Sequence, residues 1–156
     1  MAISPDEVDR RIGRFVDACR RERLKVTHQR TEVFREVART DAHPDAETVL
    51  KRVRRRIPAI SLDTVYRTLK LLVDRGLIRK VDLAGERARF DANVGTHHHF
   101  VCRECGLIRD FTSDALDALP PPRQARRWGR IESVQVQMRG LCSGCAARRA
   151  RTRRKT

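Results

Sequence analysis

Ser61-Leu62-Asp63-Thr64-Val65-Tyr66-Arg67-Thr68-Leu69-Lys70-Leu71-Leu72-Val73-Asp74-Arg75-Gly76-Leu77-Ile78 is the stretch that decides the fold. Ser61 stands where a helix start needs a side-chain oxygen, and Gly76 supplies the left-handed residue that stops a helix. Between them Val65, Leu69 and Leu72 recur at helical spacing, which predicts a helix over 62–75 with one buried stripe. Its other face carries Thr64, Tyr66, Arg67 and Lys70. Two strand-like segments follow, 78–83 and 87–90, joined at Ala84-Gly85-Glu86. An amphipathic helix with a basic outer face that runs into a hairpin is half of a winged helix-turn-helix.

The upstream sequence supplies the other half. Ser4-Pro5-Asp6-Glu7 reads as a capping box with Pro at the first helical position. Val8, Ile12, Phe15, Val16 and Cys19 then share one helical face, so Cys19 reads as a small core residue. Thr27 can cap a second helix carrying Val33, Phe34 and Val37. Asp45 can cap a third carrying Val49, Leu50, Val53 and Ile57, which Pro58 ends. Residues 1–92 therefore form one winged-helix domain.

Asn93-Val94-Gly95 is a short turn-forming stretch and the natural hinge. Beyond it the pattern changes. Strands are expected at 99–101 and 107–111, then a short helix at 113–119 closed by Pro120-Pro121-Pro122. Val134, Val136 and Met138 alternate as a further strand. Residues 96–147 make a small α/β domain, and the fold class is α+β. The basic run 148–156 is expected to be disordered.

The 156 residues hold 35 Lys and Arg against 20 Asp and Glu, a net charge of +15. That excess favours a polyanionic partner, nucleic acid first. An Arg-rich composition of the whole genome would give the same excess without one. Aromatics are only 4% of the chain, which argues against single-strand binding by ring stacking. No apolar stretch approaches the ~20 residues that span a bilayer. Met1-Ala2-Ile3-Ser4-Pro5-Asp6-Glu7 lacks the apolar core of a signal peptide. A cytoplasmic protein without a membrane partner is expected, where paired cysteines are usually metal ligands.

Cys102-x-x-Cys105 and Cys142-x-x-Cys145 supply four thiolates in two tight pairs, the donor set of a closed structural Zn²⁺ site. Gly106 and Gly144 would let the backbone bend at each pair. A redox dithiol pair or four free core cysteines are the other readings. A second donor set differs in kind. His97 and His99 are two apart, so on an extended segment they face one side and His98 the other. Asp91 and Asp110 flank them, and His43 stands before Pro44 far upstream. A mixed nitrogen and oxygen set suits Fe²⁺ or Mn²⁺. His43 before a proline is, on its own, simply a turn residue. Tyr66, Arg67 and Lys70 are candidate DNA contacts or simply a solvated face, with Lys51, Arg52, Arg54, Arg55 and Arg56 adding charge nearby.

The motifs are specific in order. Val26-Thr27-His28-Gln29-Arg30, Ala42-His43-Pro44, Ile60 to Leu69, Arg89-Phe90-Asp91, His97 to Gly106 and Gly140 to Cys145 together resemble the ferric uptake regulator family, over roughly residues 10–146. The resemblance implies a homodimeric, metal-dependent transcriptional regulator, usually a repressor, bound to a palindromic operator in double-stranded DNA. It makes the C-terminal domain a dimerisation domain. It places a regulatory Fe²⁺ or Mn²⁺ on His43, Asp91, His97, His99 and Asp110, beside structural Zn²⁺ on Cys102, Cys105, Cys142 and Cys145. It makes 61–75 the recognition helix, with Ser61, Thr64, Tyr66, Arg67 and Lys70 on DNA, and Lys25 at a position that enters the minor groove in relatives.

Aspartate at both Asp91 and Asp110 resembles peroxide-responsive members, since iron-responsive ones tend to carry glutamate. The further metal site of many relatives uses a histidine where this chain has Val134, so that site is expected to be absent. The triple histidine also resembles haem-responsive members, but those generally lack the CxxC pairs. A metal-dependent hydrolase lacks any nucleophile motif or phosphate loop here, and a zinc-ribbon RNA binder lacks stacking aromatics. The expected protein is a one-use sensor and not an enzyme.

Overall fold

A computed structural model describes residues 3–81 and 87–153. The chain forms two compact units, Met1–Val94 and Gly95–Thr156. The proposed turn Ala84-Gly85-Glu86, with Leu83, lies outside the described residues, as do 154–156.

The first unit is four helices and a two-stranded sheet: α1 Pro5–Arg21, α2 His28–Ala38, α3 Ala46–Val53, α4 Leu62–Asp74, β1 Arg79–Val81 and β2 Arg89–Asp91. Four side-chain caps start the helices. Ser4 accepts from Glu7 N–H, Thr27 from Arg30, Asp45 from Thr48 and Ser61 from Thr64. The Glu7 carboxylate of the expected capping box is taken up by Arg10, Arg11 and Arg14. Gly76, at φ +65°, closes α4 in a Schellman turn: its N–H reaches Val73 O, and Leu77 N–H reaches Leu72 O, each at 2.9 Å.

The apolar stripes of the helices meet in one core. Phe15 stacks on Phe34 with ring centroids 4.3 Å apart. Cys19, Val33, Val37, Val49, Val65, Leu69 and Leu72 are fully buried around that pair. Truncating Leu69 to Ala there costs about 2–5 kcal/mol. β1 and β2 pair antiparallel, Arg79 opposite Asp91. Phe90 N–H donates to Pro44 O at 3.0 Å, and Asp45 bridges to Arg89. The loop before α3 is thereby fixed along β2.

The second unit is built on a mixed sheet of order β4-β3-β5, with β3 His98–Cys102, β4 Ile108–Phe111 and β5 Gln137–Gly140. β3 runs antiparallel to β4, placing His99 opposite Asp110, and parallel to β5, placing Cys102 opposite Gly140. Helices α5 Asp114–Asp117, α6 Arg123–Arg126 and α7 Ser143–Arg153 complete it.

Four expectations change here. α3 ends at Val53 and not at Pro58: the Arg54 N–H closes the last turn on Leu50 O, and Ile57 lies beyond the helix. The last strand starts at Gln137, not Val134, because the Val136 N–H turns to the His98 ring (3.2 Å to Nδ1). Gly144 sits inside α7 and makes no bend, whereas Gly106, at φ +68°, does turn the first knuckle. The basic run expected to be disordered from Arg148 is helical to Arg153. It continues a helix that begins at the second cysteine pair, is rich in alanine, and is tied down by Arg149 to Glu104 at 2.7 Å. Among the described residues, no helix is long and apolar enough to cross a membrane.

Candidate metal centres and nucleic-acid face

Cys102 ends the central strand, Cys105 lies in the turn after it, and Cys142 and Cys145 bracket the start of α7. Their four Sγ atoms lie within 4.8 Å of one another. Cys105 and Cys142 are 3.8 Å apart. A tetrahedron with Zn–S of about 2.3 Å has edges of about 3.8 Å, so the thiolates are spaced for zinc. Backbone N–H groups of Cys142, Cys105 and Glu104 point at Cys102 Sγ and pull its thiol down to about 6. Burial, then the neighbouring thiols, pushes Cys145 up to about 12. A dication bound among four sulfurs this close would take them as thiolates and release their protons.

The imidazole and carboxylate donors fall in two groups, one in each unit. In the first unit, His43 and Asp91 are both buried, with Nε2 and Oδ2 3.7 Å apart. Asp91 Oδ1 accepts from Asn93 N–H at 2.7 Å, which fixes the carboxylate. His43 adopts φ +49°, and its carbonyl accepts from Arg89 at 3.5 Å.

In the second unit, His97 and His99 do face one side, with Nε2 atoms 3.0 Å apart. Two nitrogens about 2.1 Å from one ion, at right angles, are also about 3.0 Å apart, so the pair fits a shared metal. His97 Nδ1 is 2.8 Å from Gly95 O and must donate to it, which leaves the Nε2 lone pair for a ligand. Asp110, across from His99 in the sheet, brings Oδ1 to 3.5 Å from its Nε2.

His98 points the other way, fully buried. Its Nδ1 accepts from Val136 N–H and its Nε2 lies 3.3 Å from Asp117 Oδ1. Sequence reasoning left this ring unassigned and missed three residues around the donors. Gln135 places its amide 3.3 Å from His99 Nδ1. Asp117 faces His98, and Arg148 donates to Cys145 Sγ at 2.8 Å. Only Arg148 carried a signal, three residues past a ligand in a segment that can be helical.

The predicted DNA residues stand on the surface of the first unit. Tyr66 is 47% exposed. Arg67 pairs with Asp63 at 3.0 Å and Lys70 with Asp74 at 2.7 Å, exposed pairs that are weak and easily exchanged for phosphate. Ser61 and Thr64 are engaged with each other in the helix cap, Oγ to Oγ1 at 2.9 Å. Lys25 is exposed in the loop before α2, where its carbonyl accepts from Arg30.

A winged-helix unit, joined to a small unit with a zinc-spaced thiolate set and further imidazole and aspartate donors, defines a metal-dependent, DNA-binding regulator. This chain belongs to the Ferric uptake regulator family, whose defining sequence pattern matches residues 21–139. It is 25% identical over 145 residues to the peroxide-responsive repressor PerR of Staphylococcus epidermidis, covering 93% of this chain and 97% of that one. Among solved structures it is similar to the Vibrio cholerae ferric uptake regulator, with TM-score 0.64 and 26% identity over 81% of this chain and 98% of that one. It also shares its fold with the Helicobacter pylori ferric uptake regulator, with TM-score 0.71 and 21% identity over 94% and 97% of the two chains.

Proposed function

We propose that this chain is a peroxide-sensing repressor of the PerR type, whose two donor groups close on one Fe²⁺ or Mn²⁺. The observation that carries the reading is the separation of donor chemistries. Sulfur is confined to the Cys102, Cys105, Cys142 and Cys145 set, while His43, Asp91, His97, His99 and Asp110 offer only nitrogen and carboxylate oxygen. Those donors suit Fe²⁺ or Mn²⁺, and both carboxylates are the short aspartate.

His43 and Asp91 are carried on the DNA-binding unit, and His97, His99 and Asp110 on the other. Ligands drawn from both sides of Asn93-Val94-Gly95 would make metal binding favour one arrangement of the hinge, and so shift the population toward DNA competence. A bound Fe²⁺ supplies one-electron reduction of peroxide beside the ligand imidazoles. The imidazoles are the oxidisable groups at that position, and a ring that gains oxygen is lost as a donor. The response is consumed once, without turnover.

The operator is a palindrome read by a homodimer. What supports the dimer is the second unit. β5 is an edge of the sheet, and Leu119, Trp128, Ile131 and Met138 remain exposed around a small core. Tyr66, Arg67 and Lys70 of each recognition helix would meet the DNA, with Ser61 and Thr64 at the helix start and Lys25 at the groove edge.

The test is operator affinity with Fe²⁺, Mn²⁺ and Zn²⁺, each with and without peroxide, alongside mass spectrometry of the protein. The Fe²⁺ form should lose DNA and gain one oxygen atom on His43, His97 or His99, and the Mn²⁺ form should be spared. Unmodified histidines and retained DNA binding in the Fe²⁺ form would make the chain a metal sensor and not a peroxide sensor.

A further inference from the structure

Four thiolates around one dication leave a net charge of −2 on the zinc centre, and the protein must disperse it. Cys102 is served by backbone N–H groups, among them that of Cys142 at 3.3 Å. Cys145, equally buried, is served by a side chain: Arg148 Nη2 donates to its Sγ at 2.8 Å. The contact is built into α7, since residues three apart on a helix lie on one face. The next residue, Arg149, pairs with Glu104 in the other knuckle, so the rotation of α7 is fixed from both sides.

We infer that Arg148 is a positioning and charge-compensating residue of the zinc centre, holding Cys145 on the metal and lowering its reactivity toward oxidants and electrophiles. A charge-assisted hydrogen bond takes up electron density on sulfur that would otherwise attack an electrophile. The inference rests on the tetrathiolate set holding zinc, and not on the peroxide reading of the histidine site. Its consequence is that the structural centre stays silent toward peroxide. Oxidation there would join two thiolates in a disulfide. Two thiolates lose two electrons, hydrogen peroxide accepts them with two protons and its O–O bond breaks, two waters leave, and Zn²⁺ is released.

The experiment uses the full-length, zinc-loaded chain and the variants Arg148→Ala, Arg148→Gln, Arg148→Lys and, as a control on the same helix, Arg151→Ala. Zinc content is measured first. Zinc release is then followed with a chromophoric chelator, once under excess hydrogen peroxide and once under N-ethylmaleimide, and mass spectrometry identifies the first cysteine alkylated. Arg148→Ala and Arg148→Gln should release zinc about tenfold faster, the lower end of what partners behind a metal ligand are worth. Alkylation should move to Cys145 first. Arg148→Lys should recover most of the protection, and Arg151→Ala should match the wild type. Should Arg148→Ala fail to fold, Arg148→Gln carries the comparison, because it keeps the helix and a hydrogen-bond donor while removing the charge. Zinc-loaded variants that release zinc at the wild-type rate, or lysine that rescues nothing, would overturn the inference. A wild-type chain that holds no zinc overturns the centre and this inference with it.

Discussion

Cys102→Ser should unfold the second unit and leave the first standing. The first unit buries a cluster from Phe15 to Phe90 that includes Phe34, Leu69, Leu72 and Ile78. Among the described residues of the second unit, Val101 and Ile108 are the buried aliphatic side chains, with Cys102 and Cys145 beside them. Burying two such side chains is worth about 3–6 kcal/mol at ~1.5–3 kcal/mol each. A structural zinc contributes about 10–16 kcal/mol in small zinc-dependent peptides. The ion therefore outweighs the aliphatic core, and its loss removes more than that core can replace. Calorimetry and far-ultraviolet circular dichroism of the wild type and of Cys102→Ser, each with its zinc content measured, should show the same high transition from the helical unit. The cooperative transition of the sheet unit should be missing from the variant, and ultracentrifugation should show it to be monomeric. A zinc-free variant that stays dimeric with both transitions intact would refute the reasoning, because the sheet would then be holding itself together.

Three further outcomes are expected. Arg67→Ala should weaken operator binding by about 1–3 kcal/mol if the guanidinium reads a base edge. If it meets phosphate, fluorescence titrations should show an equal loss on all sequences and a salt slope smaller by about one. Asp110→Glu should keep metal-dependent DNA binding while blunting release by peroxide, since reaction depends on ligand placement more tightly than metal retention does; oxygen on the histidines at the wild-type rate contradicts it. For Glu32, burial raises the carboxyl, but Arg56 at 2.6 Å and then Arg35 bring it below its ordinary 4.5. A depressed folded-state value means stability that is full above about pH 4.5 and is lost as the pH falls through the folded-state value. Urea midpoints of Glu32→Gln should lie below the wild type at neutral pH and converge with it in acid; parallel curves would contradict the assignment.

The starts of the first four helices were legible because their signals are local. Ser4, Thr27, Asp45 and Ser61 each cap within three residues, and Gly76 closes α4 by its own conformation. The facing of His97 and His99 was legible from alternation alone. What escaped depends on contacts far apart in sequence. The start of β5 is set by His98 taking the N–H of Val136, 38 residues away. α7 escaped because a run of arginines looks like a solvated tail until the cysteines and Glu104 fix its first turns. Gln135 escaped because nothing near it in sequence points to His99.

The left-handed backbone at His43 constrains how the protein can change. A non-glycine residue at positive φ costs roughly 1–2 kcal/mol, and glycine or asparagine would sit there with less strain. Either would put no imidazole beside Asp91. Local packing holds this conformation, with Phe90 hydrogen-bonded to Pro44 on one side and Arg89 reaching the His43 carbonyl. The position therefore resists the mutations that thermal stability alone would favour. A screen for heat-tolerant variants should accept glycine or asparagine here, while a screen for metal-dependent repression should return histidine.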